Sequence, residues 1–382
     1  MLNLLIRRRN FYILGLILAF NLLLVNYLFN FQEGATNSGT LIRLFLKVIS
    51  IVLICSCIKP SNFDYSNLPL LFFFGFIGIA IILRMPFLNS EDSQFLNVFI
   101  SLPLLFGFGP RNNIDFQRFD RFLLIFFGIW IIIDSYFYLS ANSLWDNSAF
   151  IGGIGNPSSY GFVLIYIFEV ASQGLKKKPI RFFLKVIAAA VLLLTQALMP
   201  ILILIFIQIL KVNKIIIFFI LIIFIYVSSQ IDFILELLPN VHWKHKLEAL
   251  IEFIKTLDYS NTSLSISTRI EFFEGVKLLN KDVITFFTGG VNNTYYNYGD
   301  SQMITYVTSF GVPLFLIFVF YLGRLYIKAK NTPLKYFIIS FLLILITNRI
   351  LDYWPIAIII FVTINRINYE HRNNKQFFSQ TS

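Results

Sequence analysis

Arg269 and Asp300 are the residues whose type and setting best suit chemistry. Thr268 and Glu271 have capping-box spacing, and Ile270, Phe273, Val276 and Leu279 continue as an apolar stripe, which puts Arg269 in the first turn of a predicted helix. The macrodipole opposes a cation there by roughly 0.3 to 1 kcal/mol. The same position suits capture of an anion beside free backbone N–H groups; the alternative is a surface arginine paired with Glu271 or Glu274. Asp300 sits with Ser301 just before an apolar run, as a base for a hydroxyl proton, as a helix N-cap, or as both. Tyr295, Tyr296 and Tyr298, among Asn292, Asn293 and Asn297, form a patch suited to stacking on sugar rings and binding their hydroxyls, or a plain polar loop.

These residues lie in the one long polar segment, 232–301, of a chain of 382 residues that is 57% hydrophobic, 18% aromatic and 13% charged. The mean hydropathy is +0.74. A soluble globule does not hide so much apolar surface, so the chain reads as an all-α, polytopic membrane bundle with lipid as its solvent. Apolar runs predict about twelve spans, near 11–29, 41–58, 68–84, 95–109, 122–140, 158–173, 181–195, 197–210, 214–230, 302–323, 334–350 and 354–366. The seventh and eighth are divided only by a turn at 195–200, which leaves a single bent span as the alternative. The formal net charge of +11 is spread in short clusters between spans, a topology signal and not a nucleic-acid face.

With Arg7, Arg8 and Arg9 in the cytoplasm, twelve spans place Arg111, Arg118 and Arg121, Lys176 to Lys178, Lys211 and Lys214, Arg324, Lys328 and Lys330, and the Arg366 tail on the same side. Both termini are then cytoplasmic. The 231–301 segment becomes an extracytoplasmic loop between spans nine and ten, within a single membrane domain over 1–382. The first apolar run lacks a small-residue cleavage site and reads as a transmembrane helix. Cys55 and Cys57 share the second span and point to different faces, as core residues.

On the outer side, Arg43 and Lys47 share a helix face at i, i+4 spacing, and Arg84, Asp134, Arg349 and Asp352 lie at outer ends of spans. Singly, each fits a snorkelling or ion-paired side chain. Together, cations facing the side that the charge rule disfavours suit a pyrophosphate or polyanionic sugar. Inside the loop, Leu247, Leu250, Ile251, Ile254 and Leu257 recur at helical spacing, an amphipathic helix. His242 and His245 flank Trp243 with no third ligand nearby and read as an interfacial belt, so no metal site is predicted. Glu169, near an inner span end, is expected to pair with a lysine.

The second half of the chain resembles the bacterial O-antigen and capsular polysaccharide polymerases of the Wzy type, relatives of the O-antigen ligases. The likeness rests on Gly155-Asn156-Pro157 entering a span, the Thr195-Gln196 hairpin, a ninth span before the large loop, Ser267-Thr268-Arg269 within it, and then Gly289-Gly290, Asp300-Ser301 and Gly311-Val312-Pro313. The ligase branch shows His-Asn where this chain has Asp300-Ser301, a departure that favours the polymerases. Thr195-Gln196-Ala197 also departs from the Ser-Arg often found at that turn.

The resemblance implies a glycosyltransferase of the bacterial cytoplasmic membrane that joins undecaprenyl-pyrophosphate-linked repeat units on the outer face and releases undecaprenyl pyrophosphate. It implies catalytic roles for Arg269 on the diphosphate and Asp300 on the acceptor hydroxyl, with Arg43, Lys47, Arg84, Arg349, Tyr295 and Tyr296 binding substrate. The implied partners are the lipid-linked glycans, the bilayer, a chain-length regulator and a flippase, without nucleic acid. No cofactor is expected. An O-antigen ligase and a lipid-linked oligosaccharide flippase are the rival functions; the single late loop and the lack of internal symmetry speak against the flippase.

Overall fold

A computed structural model of the chain describes residues 14–15, 17–18, 45–53, 65–84, 102, 116–140, 149–212, 244, 248, 251–252, 283–289, 301–329, 332–351 and 353–380. Among them there is no strand. The helices used below are α1 (Leu68–Arg84), α2 (Phe116–Leu139), α3 (Pro157–Glu169), α4 (Lys178–Leu194), α5 (Leu198–Lys211), α6 (Val283–Thr288), α7 (Gln302–Phe310), α8 (Val312–Lys328), α9 (Thr332–Thr347) and α10 (Trp354–Gln380).

Proline marks many of the starts. Pro69, Pro157, Pro179, Pro313, Pro333 and Pro355 each fall within the first two residues of a helix, where the missing N–H has no intrahelical partner to lose. Before α3, the Asn156 side chain accepts from the Ser159 N–H at 3.1 Å, so Gly155-Asn156-Pro157 is a helix entry as its sequence suggests.

Polar contacts sort the helix ends into two groups. At one, called here the Asp120 end, Asp120 near the start of α2 accepts from Tyr166 Oη of α3 at 2.8 Å and from Arg366 Nη1 of α10 at 3.0 Å, and Arg366 Nε also donates to Glu370. Asn67, at the start of α1, accepts from Tyr321 Oη of α8 and Asn368 Nδ2 of α10, both at 2.7 Å, and donates to Asn365. Glu169, at the end of α3, is held by Lys211 and Gln208 from the end of α5. This is the lysine pairing expected of it. Lys211 also lies over the Tyr336 ring at the start of α9.

The opposite ends of the same helices meet at what is called here the Gly311 end. Asp134, late in α2, accepts from the Gly152 N–H just before α3, and the Phe150 N–H donates to Leu194 O at the end of α4. Helices α1, α2, α4 and α9 therefore run away from the Asp120 end, and α3, α5, α8 and α10 run toward it. Helices α4 and α5 are two antiparallel elements and not one bent helix. Both pack on α3 where Gly161 leaves room: a Cβ there would lie 2.6 Å from Pro200 and 3.2 Å from Leu192.

Between the two ends the interior is aromatic and aliphatic. Phe73 of α1 stacks on Phe318 of α8 at 4.6 Å, and Phe162 of α3 on Phe337 of α9 at 4.9 Å. The outer faces are apolar as well: Phe72, Phe76 and Ile79 on α1, Ile125 and Ile132 on α2, Phe182 and Phe183 on α4, and Phe320 and Ile327 on α8 are exposed. By length and composition, one described helix, α2 at 24 residues, suffices to cross a membrane; Leu68–Ile79, Leu198–Lys211 and Thr332–Thr347 are shorter apolar helices.

One expectation is corrected. The apolar run 302–323 is not one span, because the chain breaks at Gly311 between α7 and α8. Tyr306 and Phe318 would stand about 18 Å apart along a continuous helix, yet their rings are 6.3 Å apart, so α7 folds back on α8. The last helix also continues past residue 366 to Gln380.

Candidate functional site

The break is built by backbone. Gly311 has φ 87° and ψ 161°, a combination open to glycine and closed to residues with a Cβ. Its N–H closes α7 onto Val307 O at 2.9 Å. Gly289, with φ 69°, closes α6 in the same manner onto Thr285 O at 2.8 Å. The two glycines face each other's chain. A Cβ on Gly311 would meet the Phe287 carbonyl oxygen at 2.3 Å, and one on Gly289 would meet the Ser309 carbonyl carbon at 2.4 Å. The end of α6 is thus pressed, backbone to backbone, against the junction of α7 and α8.

Between these glycines, the start of α7 is anchored to the far end of α9. Ser301 is the N-cap: its Oγ accepts from the Ile304 N–H at 3.3 Å and donates to Leu345 O at 3.4 Å. Gln302, fully buried, accepts from the Leu351 N–H at 3.0 Å through Oε1. Residues 348–351, which carry the half-buried Arg349, are thereby tied to Gln302, two positions after Asp300. Thr305 and Thr308 continue the buried polar face of α7 and donate to Ser301 O and Ile304 O in their own helix.

The predicted site residues are distributed as follows. Arg84, the last residue of α1, and Arg349, just beyond α9, both belong to the Gly311 end. Lys47 is half-buried in the helical stretch 45–53. Arg43, Arg269, Tyr295, Tyr296 and Asp300 lie outside the described residues, as does Asp352. Of the predicted loop helix near 247–257, Lys244, Glu248, Ile251 and Glu252 are described and helical, with Lys244 and Glu248 paired at 3.8 Å. Asp134 does not open outward. It is buried, and the Gly152 N–H donates to its carboxylate at 2.9 Å, so it organises the turn before α3.

No protein-family model matches the chain, and no curated protein matches it significantly. Roles therefore rest on the residues themselves. Among the described residues, no three of His, Cys, Asp and Glu converge as a metal site.

The sequence reading missed Gln302 and the helix break. A polar residue directly after Asp300-Ser301 was the available sign of Gln302. Glycine followed two positions later by proline, Gly311-Val312-Pro313, is the ordinary signature of one helix ending and another beginning.

Proposed function

We propose that the chain is a polytopic membrane glycosyltransferase of about twelve spans, acting as a polysaccharide polymerase on undecaprenyl-pyrophosphate-linked repeat units. Two arrangements support the membrane part of this reading. Helices apolar on both their buried and exposed sides match a lipid environment and not water. The clusters assigned to the cytoplasm, among them Lys178, Lys211, Lys328 and Arg366, also collect at the Asp120 end, while Arg84 and Arg349 belong to the other. The Asp120 end then faces the cytoplasm and the Gly311 end faces outward.

The observation that carries the chemical part is the anchoring of Ser301 and Gln302 on the segment that bears Arg349. It ties the residues that follow Asp300 to the segment of Arg349, which supports a reading in which a carboxylate and a cation serve one end. In the transfer, an acceptor hydroxyl attacks the anomeric carbon of the donor glycan, the new glycosidic C–O bond forms, and the C–O bond to pyrophosphate breaks with its electron pair leaving on the phosphate oxygen. Asp300 takes the hydroxyl proton. Arg269, helped by Arg43, Lys47, Arg84 and Arg349, stabilises the charge growing on the pyrophosphate. Tyr295 and Tyr296 stack on the sugars.

Deleting the gene and running the cell's surface glycan on a gel tests the reading: a ladder should collapse to a single repeat unit. Polymer retained on its lipid carrier would indicate a ligase instead, and single units trapped on the cytoplasmic face a flippase. Within the polymerase reading, Asp300→Asn should abolish polymer at unchanged protein level, and wild-type chain length in that variant removes Asp300 from the site.

A further inference from the structure

The Asp120 end carries a charged surface that the transfer reaction does not use. Lys176, Lys177 and Lys178 are exposed at the turn into α4, and none has an ion-pair partner among the described residues. The helix dipole opposes cations at that position, and Lys177 serves as N-cap without a side-chain cap bond. The turn is nevertheless well held, because Arg181 Nη1 donates to Gln173 Oε1 at 3.0 Å and Nη2 to Leu175 O at 2.8 Å. No acidic residue occurs between Glu169 and Lys185, and Glu169 itself is engaged by Lys211 and Gln208. Immediately after the lysines, Ile180, Phe182 and Phe183 are 50%, 71% and 65% exposed.

Three lysines, a proline and then outward-facing isoleucine and phenylalanines reproduce the order of a lipid leaflet read from headgroup to acyl chain. We propose that the turn 176–183 is a binding site for anionic phospholipid, with the lysines on its phosphate and Ile180, Phe182 and Phe183 along its acyl chains. The occupant is fixed by charge complementarity: a zwitterionic headgroup offers these lysines no net attraction, whereas an anionic one does. The proposal rests on the membrane reading given above, though not on the polymerase activity.

The test is native mass spectrometry of the full chain, purified in detergent and supplied with equal phosphatidylglycerol and phosphatidylcholine. Wild type should retain phosphatidylglycerol on the order of tenfold better, and the triple variant Lys176→Gln, Lys177→Gln, Lys178→Gln should lose most of that preference. Arg324→Gln, which removes an exposed cation elsewhere at the same end, should keep the preference within about twofold. Equal retention of the two lipids by wild type, an unchanged triple variant, or an Arg324→Gln variant as impaired as the triple one each overturns the site. Wild type recovered from cells as a soluble protein without detergent would instead overturn the membrane reading.

Discussion

At the Asp120 end, helices far apart in the chain meet through side chains; at the Gly311 end they meet largely through backbone. Asn67 bonds to residues 254, 298 and 301 positions away, and Asp120 to Arg366 at 246. Across the bundle, the joints among the described residues include glycine contacts and side chains bonded to main-chain groups: Gly289 on Gly311, Ser301 on Leu345 O, Gln302 on the Leu351 N–H, Asp134 on the Gly152 N–H. Side-chain networks of the first kind fix which helix neighbours which. Backbone joints of the second kind hold the shape of an end through main-chain geometry. On the proposed function, the first end is the anchor and the second is the working face.

The sharpest way to break that contrast is Asp120→Ala. It leaves the largely buried Arg366 with Glu370 alone and removes the acceptor of Tyr166, so a loss of about 3 to 5 kcal/mol is expected, read as a lowered unfolding temperature in detergent. A variant that melts with wild type shows that this end is not the anchor. At the working face, Gly311→Ala forces a Cβ onto the Phe287 carbonyl in a backbone conformation closed to alanine, for about 1 to 3 kcal/mol. Chain length of the surface glycan should fall further than that modest destabilisation explains. Gly323→Ala is the matched control: it sits in α8 with nothing within 4 Å of its added Cβ, and it should leave both readouts at wild-type level or better. The smallest effect is expected for Tyr160→Phe. The Tyr160 hydroxyl is buried with no hydrogen-bond partner among the described residues, so its removal should change stability by no more than about 1 kcal/mol, toward greater stability. A clear loss there would reveal a bonded role for that hydroxyl.

The helix directions were legible in the sequence because they depend on two coarse signals, apolar run length and the side on which lysine and arginine collect. Those signals separated α4 from α5 and put Glu169 at an end where lysines collect, though not which lysine would pair with it. The break inside 302–323 escaped hydropathy because a hydropathy average weighs Gly311 and Pro313 only by polarity, whereas it is their backbone preferences that end one helix and start the next. Asn67, Tyr321 and Asn368 carry no local sign of their union, since each is an ordinary helix-end or surface residue until tertiary packing brings them together. Asp134 was legible as a residue at the outer end of its span, but its partner, the Gly152 N–H of the turn before α3, was not.

Gly289 and Gly311 pinch the chain between them into a noose whose knot belongs to the bundle. A closed loop is cheap to lengthen, each doubling costing only about 0.6 kcal/mol, so insertions between Gly289 and Ser301 need cost the helices that carry them little. On the proposed function, this is where specificity for different glycans can diverge on one scaffold, provided that Asp300 and the two glycines that tie the noose are kept.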